Sequence, residues 1–440
     1  MTAAMIPDRR LAALHRLAGQ AAAHLGMDLA IRFWDGSTVP LGSHWSGDLA
    51  VAVNAPAALT RLLRRPRLTT VVELVAEGAL AIEGGTLLDL AARRAGAPGG
   101  TRGLWRALDK AALVRALLPF AFGPGKPGSA GHAYAGAQAA RPERGRDDRA
   151  LVQFHYDLSN EFYALFLDPE MVYSCAYFPH WEAGIEEAQR AKLEMICRKL
   201  RLRSGERMLD IGCGWGGLVC HAALHHGVTA HGVTLSQAQH DAAVAKVRRL
   251  GLQDRVTIEL KDFRALEGVA FDKIASIGMF EHVGLANRDG YFRQIRELLK
   301  PRGIYLHHAI TRPMKRSERE FRKKRPEYAA VVDYVFPGSE LDHVGGTVDG
   351  LERNGFEVHD VEGWREHYAR TTRLWTERLY ANRDAAEREV GAAKVRLWLL
   401  YLAGVSLGFE RGTIGIFQTV ATRRARGASG MPPTRADLYV

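Results

Sequence analysis

In ERMLDIGCGWGG, residues 206–217, a strand-like apolar run ends at Asp210 and Ile211, and Gly212, Gly214 and Gly216 then alternate into a helix-spaced stretch. Glycines so placed let the backbone approach a ligand closely and turn into a helix. The pattern alone is shared by dinucleotide enzymes and methyltransferases. Two carboxylates narrow it. Asp210, just ahead of the first glycine, would meet an ammonium group and repel a pyrophosphate. Asp262, in the KDF that closes a later strand, stands where an adenine amino group could be read. Both favour S-adenosylmethionine. The second strand ends VTLSQAQ, without the carboxylate that usually takes the ribose hydroxyls, and leaves Thr234 and Gln239 as the polar candidates.

These residues need a scaffold. QRAKLEMICRKLRL, GLVCHAALHHG, SQAQHDAAVAKVRRLG and YFRQIRELLKPRG have helical apolar spacing, whereas ERMLDIG, VTAHGVTL, VTIELKDF, FDKIASIG and IYLHHAI read as strands. Strands alternating with helices predict an α/β fold, a Rossmann-like, parallel, doubly wound sheet with its ligands outside the C-terminal strand ends. Residues 1–122 read as a smaller N-terminal α+β domain, with short strands within 27–41 and 48–56 and helices near 56–66, 69–80 and 86–96. Residues 123–150, rich in glycine, proline and alanine without apolar periodicity, read as a flexible linker. The catalytic domain is expected over 151–424, followed by a tail over 425–440.

The 440 residues carry a net charge of +11, which suggests an anionic partner. TRPMKRSEREFRKKR, residues 311–325, holds eight basic and two acidic residues and points to a lipid headgroup surface. With no basic stripe interleaved with aromatics, nucleic acid is not expected. Four cysteines without a C-x2-C pair make neither a disulfide framework nor a zinc spacing, and suit a reducing cytoplasm. His225 and His226 would point about 100° apart on a helix, and His307 and His308 to opposite faces of a strand, so no metal site is expected. LWLLYLAGVSLGF, residues 397–409, reads as a buried helix, too short an apolar run to span a bilayer. Any membrane contact would be peripheral.

FHYDLSNEFYALFLDPEMVYSCAYF, LDIGCGWGG, GVTLSQAQ, SIGMFEHVG, YVFPGSEL and YLAGVSLGF together resemble the cyclopropane fatty-acyl-phospholipid synthases. The resemblance covers essentially all of the second domain, and the N-terminal domain fits the two-domain bacterial members. It implies transfer of a methylene from S-adenosylmethionine to the cis double bond of a phospholipid acyl chain. The cofactor contacts it implies are Tyr173, Ser174, Asp210, Gly212, Gly214, Thr234, Leu235, Gln239, Lys261 and Asp262. A bicarbonate ion would be held by Cys175, Glu281, His308, Ile310 and Tyr401, with His282 a further candidate and the Cys175 and Ile310 contacts mainly through backbone. The N-terminal domain would engage phospholipid and support a homodimer, and the enzyme would work in the cytoplasm, peripherally at the inner face of the cell membrane.

The chemistry so implied makes demands of its own. The sulfonium methyl must be lined up with the double bond in a dry pocket, because water would trap the resulting cation as an alcohol. Aromatic faces can stabilise that cation, and Tyr173, Tyr177, Phe178, Phe280 and Tyr401 are candidates. Ring closure needs a base, the role the resemblance gives to bicarbonate oriented by Glu281, His308 and Tyr401. Outside the resemblance Glu281 reads equally as a carboxylate at a helix N-terminus. Cys175 reads as a small packing residue shaping the anion pocket, since no histidine is close in sequence and the reaction needs no covalent enzyme intermediate. The same first step followed by proton loss elsewhere would give a methyl-branched or methylene product. A methyltransferase acting on a polar nucleophile fits FEHVG and HHAI poorly, and a non-catalytic lipid-binding protein would not need the intact glycine turn.

Overall fold

Short apolar runs rich in β-branched residues form strands here, and they assemble into two sheets. The computed structural model describes residues 9–95, 109–122, 158–268, 270–323, 334–336 and 338–438. The linker read at 123–150 lies outside the described residues. Two compact units emerge, and they are not contiguous in sequence: Leu379–Gly404 belongs with the N-terminal elements.

In the first unit, β1 (Ala30–Arg32), β2 (Thr38–Pro40), β3 (Ala50–Val53) and β4 (Leu80–Glu83) form a four-stranded sheet in the order β2-β1-β3-β4. Leu25, Met27, Leu29, Leu41 and Leu49 pack one part of its core, and Leu11, Leu14, Phe33 and Phe120 another. β4 was not separated from the preceding helix in the sequence reading; Gly78, at φ +77°, ends that helix two residues before the strand begins. The guanidinium of Arg396 donates to Val75 O at 3.1 Å and Ala76 O at 2.8 Å, so the late segment caps the last carbonyls of the helix Leu68–Glu77.

The second unit is built on β5 (Arg207–Ile211), β6 (Thr229–Thr234), β7 (Val256–Leu260), β8 (Phe271–Ile277), β9 (Leu299–Thr311), β10 (Phe356–Gly363) and β11 (Gly415–Arg423). Their order is β10-β11-β9-β8-β5-β6-β7. The pairs β5–β6, β6–β7, β5–β8 and β8–β9 are parallel, as expected, but β11 runs antiparallel to both β9 and β10, so the sheet is mixed. The helix expected over 291–303 is Arg288–Leu298, and β9 begins at Leu299. Pro301 cannot continue a helix. Ile185–Leu200 and Gly217–His226 pack on one face with Met208, Ala230 and Leu306, and Arg288–Leu298 packs on the other with Leu209, Ile274 and Tyr305. The chain order reverses at β5, flanked by β6 and β8, which places a switch point at Ile211.

The apolar run 397–409 lies in a longer helix, Ala392–Glu410, of which only 39% of an 18-residue window is buried. It is partly buried rather than a core helix, and by length and composition it could cross a membrane. The residues read as a tail are docked: Leu438 is buried, Arg201 pairs with Asp437 at 2.8 Å and Arg435 with Asp360 at 3.0 Å.

Candidate active site

β5 delivers Asp210 and then the glycine turn. Gly212, Gly214 and Gly216 have φ of +82°, +54° and +78°, a region that side-chain-bearing residues rarely adopt. A Cβ on Gly212 would lie 3.1 Å from the Met279 side chain. The turn is tied to β6 by Gly212 and Cys213, whose N–H groups both donate to Val233 O at 3.0 Å. At the end of β6, Thr234 Oγ1 donates to Gln239 Oε1 at 2.9 Å, and Ser236 caps the following helix. Asp210, Gly212, Gly214, Thr234 and Gln239 line a cleft of about 580 Å³ together with Tyr173, Ser174, Leu235, Lys261 and Asp262.

The cleft suits a cationic ligand. Asp210 is buried, its Oδ1 has no partner among the described residues, and burial pushes its pKa up to about 7, opposed by the charge of Lys192. An ammonium group would supply the missing partner and restore the carboxylate. The glycine cradle and this orphaned oxygen fit S-adenosylmethionine. Asp262 is already engaged: Arg264 grips it through Nε at 3.0 Å and Nη2 at 2.6 Å.

The stretch 173–178 crosses from this cleft to a second, drier cluster. Gln189 Nε2 donates to Val172 O at 3.1 Å and Ser174 O at 2.9 Å, and Lys192 Nζ donates to Ser174 Oγ at 2.9 Å. Ala176 N donates to Thr371 Oγ1, Phe178 N to His367 Nδ1, and the Tyr177 ring stacks on His367. Cys175 is fully buried, 3.8 Å from Trp364 O, and burial raises its pKa well above the ordinary thiol value. It is a protonated, packed thiol rather than a thiolate.

Glu281 sits in the 3-10 turn Phe280–His282, fully buried, and not at an exposed helix N-terminus. β8 ends at Ile277, opposite His308, so beyond that register β9 lacks its β8 neighbour. The Glu281 carboxylate fills the gap: Oε1 accepts from Ile310 N at 2.6 Å. Its Oε2 has no partner among the described residues, and burial pushes the carboxyl pKa up to about 7. His308 is buried with its ring edge-on to Trp364, and burial holds it neutral. Its Nδ1 meets Gln418 Nε2 at 3.1 Å, and its Nε2 has no partner among the described residues. Ile310 packs against the cluster that contains Cys175 and Trp364. Cys175, Glu281, His308 and Ile310 thus share the second unit, whereas Tyr401 lies on the part of its helix that belongs to the first unit, its ring 5.7 Å from Trp398. Glu281 Oε2 as acceptor and His308 Nε2 as donor suit an anion that carries a proton, as bicarbonate does.

Of the aromatic candidates, Phe280 is core: it stacks on Phe292 and meets His307 edge-on. Arg370 already covers the face of Phe178 at 5.1 Å. His282 lines the cofactor cleft. The pairs weighed for a metal were His225–His226 and His307–His308; among the described residues Cys197, His221 and His226 bring ligand atoms within 4.8 Å of one another, and both imidazoles are already bonded to Glu194, at 3.3 and 3.1 Å. Sequence reasoning missed Gln189, Lys192 and Lys199, which with Ile196 form one buried stripe of the helix Ile185–Leu200. Polar residues at helical spacing on an otherwise apolar face were the signal.

Residues 143–419 match the family described as Mycolic acid cyclopropane synthetase. The chain is 39% identical over 302 residues to a probable fatty acid methyltransferase of Pseudomonas putida, covering 67% of this chain and 74% of that one. It is 38% identical over 269 residues to the cyclopropane-fatty-acyl-phospholipid synthase of Escherichia coli strain K12, covering 61% and 66%. The structure of mycolic acid cyclopropane synthase CmaA1 complexed with SAH and CTAB superposes with a TM-score of 0.59 at 33% identity, covering 62% of this chain and 98% of that one.

Proposed function

The chain belongs to the mycolic acid cyclopropane synthetase family of S-adenosylmethionine-dependent methyltransferases, and we propose that it converts a cis double bond in the acyl chain of a membrane phospholipid into a cyclopropane. The observation that carries this reading is the pair of buried polar atoms without a partner among the described residues, Glu281 Oε2 and His308 Nε2, of which Glu281 bonds Ile310 N and His308 meets Trp364, both packed in the cluster of Cys175. S-adenosylmethionine supplies an electrophilic methyl group, and a bicarbonate between Glu281 and His308 would supply the base.

The chain's own groups then have distinct tasks. Asp210 would hold the ammonium end of the cofactor, and the glycine turn would let the backbone close on it. Lys192, its pKa lowered to about 8 by burial, fixes Ser174 and keeps positive charge at the junction of cleft and anion pocket. Tyr177 and Trp364, with ring centroids 5.1 Å apart, pack against each other and keep water from this side of the site. Glu281, once ionised, accepts a proton-bearing group and raises its basicity. In sum the alkene gains CH2, the cofactor leaves as neutral S-adenosylhomocysteine, and one proton of the transferred methyl passes to the base.

The segment from Arg312 to Lys323 presents Arg316, Arg319, Arg322 and Lys323 to solvent beside the exposed Met314, a surface suited to anionic headgroups. This supports peripheral action at the inner face of the cell membrane. A homodimer is part of the same proposal. The P. putida relative supports a second reading, in which the first step is the same and the product is a methyl-branched or methylene acyl chain.

The test is incubation of the purified chain with S-adenosylmethionine and liposomes of cis-monounsaturated phospholipid, followed by mass spectrometry and proton NMR of the fatty esters. A gain of one CH2 with upfield ring-methylene signals supports the cyclopropane. The same gain with vinyl signals or a branch methyl selects the second reading, and no gain overturns both.

A further inference from the structure

Three strands carry one polar line. In register, His308 of β9 lies opposite Gln418 of β11, which lies opposite Glu362 of β10. Lys199, from the helix Ile185–Leu200, donates to Gln418 Oε1 at 2.7 Å and pairs with Glu362. The side chains of Lys199 and Gln418 are buried completely. Such residues are costly inside a domain unless every polar atom is used.

The line has a direction. An ammonium group only donates, so the Gln418 atom facing Lys199 must be the carbonyl oxygen. The Gln418 amide NH2 therefore faces His308 Nδ1, 3.1 Å away. A donor there requires a lone pair on Nδ1, and a neutral imidazole then carries its proton on Nε2. Nε2 is the atom left without a partner among the described residues.

We propose that Lys199 and Gln418 are positioning residues that lock His308 as a neutral Nε2–H donor aimed into the anion pocket. The inference rests on reading Glu281 and His308 as that pocket, and it explains why a lysine and a glutamine occupy the middle of the sheet. Burial and the charges of Lys192 and Lys199 also keep the ring from taking up a second proton. Without the lock, Nε2 could present a lone pair to an anion and repel it.

The experiment is long-range proton–nitrogen correlation NMR on the full chain labelled with 15N-histidine, with His308→Asn identifying the His308 signals. Wild type is expected to show a protonated Nε2 and a lone-pair Nδ1. Gln418→Glu keeps an oxygen toward Lys199 but offers Nδ1 an acceptor, so it should move the proton to Nδ1. Its turnover should fall by ~100-fold or more, the scale of a lost acid–base group. Gln418→Leu, which frees the ring without forcing the proton onto Nδ1, should lose at least tenfold less than that. A protonated Nδ1 in wild type, or Gln418→Glu retaining Nε2–H, overturns the proposal. The wild-type spectrum decides even if the variants fold poorly. Adding bicarbonate separates the two readings: the expected tautomer with no shift of the Nε2 signal upholds the lock and sinks bicarbonate.

Discussion

The cofactor cleft and the anion pocket meet at Ser174 and Cys175, yet they are built by opposite means. The cleft is made largely of backbone: a glycine turn at positive φ, strand ends, and a helix start capped by Ser236. Its polar side chains mostly have partners, as Thr234 has Gln239 and Asp262 has Arg264. The proposed anion pocket would be made of side chains from the 173–178 stretch, the Phe280–His282 turn, β9 and β11, where Glu281 Oε2 and His308 Nε2 are buried and have no partner among the described residues. A site for a large ligand can be shaped by chain geometry, whereas a site for a small anion needs individual buried groups held by others behind them.

Substitutions should sharpen that contrast. Glu281→Gln removes the acceptor while preserving shape, and turnover is expected to drop ~100-fold or more. S-adenosylhomocysteine affinity, measured by calorimetry, should stay within about twofold, since the carboxylate bonds Ile310 rather than the cleft. Equal loss of both would erase the distinction between the sites. Gly212→Ala acts in the other region: strain at φ +82° and crowding against Met279 should weaken cofactor binding by roughly tenfold, corresponding to ~1.4 kcal/mol.

Asp210 makes the cleft sensitive to pH. In the free protein its carboxyl titrates at about 7, and a cationic ligand favours the ionised form. Below pH 7 binding must therefore expel a proton, and affinity should fall by up to ~10-fold per pH unit; above pH 7 it should level off. Calorimetry across pH 5.5–8.5 checks this, and Asp210→Asn should flatten the profile. The smallest change is expected for Arg264→Ala. Arg264 is half exposed, such pairs contribute ~1 kcal/mol or less, and cofactor affinity should move less than about threefold.

The same contrast decides what could be read in advance. All ten cofactor candidates line one cleft; the glycines, Asp210, Thr234, Gln239 and Asp262 were legible from local glycine spacing and strand ends, whereas Tyr173, Ser174, Leu235 and Lys261 came from the family resemblance. β5 to β9 were legible as apolar runs between helices. β10 and β11 were not, because their polar members Glu362 and Gln418 break the strand pattern; Gln418 meets His308, and Glu362 meets Lys199. Gln418 lies 110 residues from His308 and 219 from Lys199, so no local spacing could join them. The place of Leu379–Gly404 in the first unit was hidden for the same reason, since Arg396 meets Val75 across 321 residues.

The central claim is that the pocket of Glu281 and His308 holds a bicarbonate that serves the reaction. The most direct test is the initial rate of fatty-ester CH2 gain in decarbonated buffer as bicarbonate is added back. Wild type should rise saturably from a low basal rate, and Glu281→Gln should stay low throughout. A wild-type rate that is full without bicarbonate and unchanged by it would contradict the account.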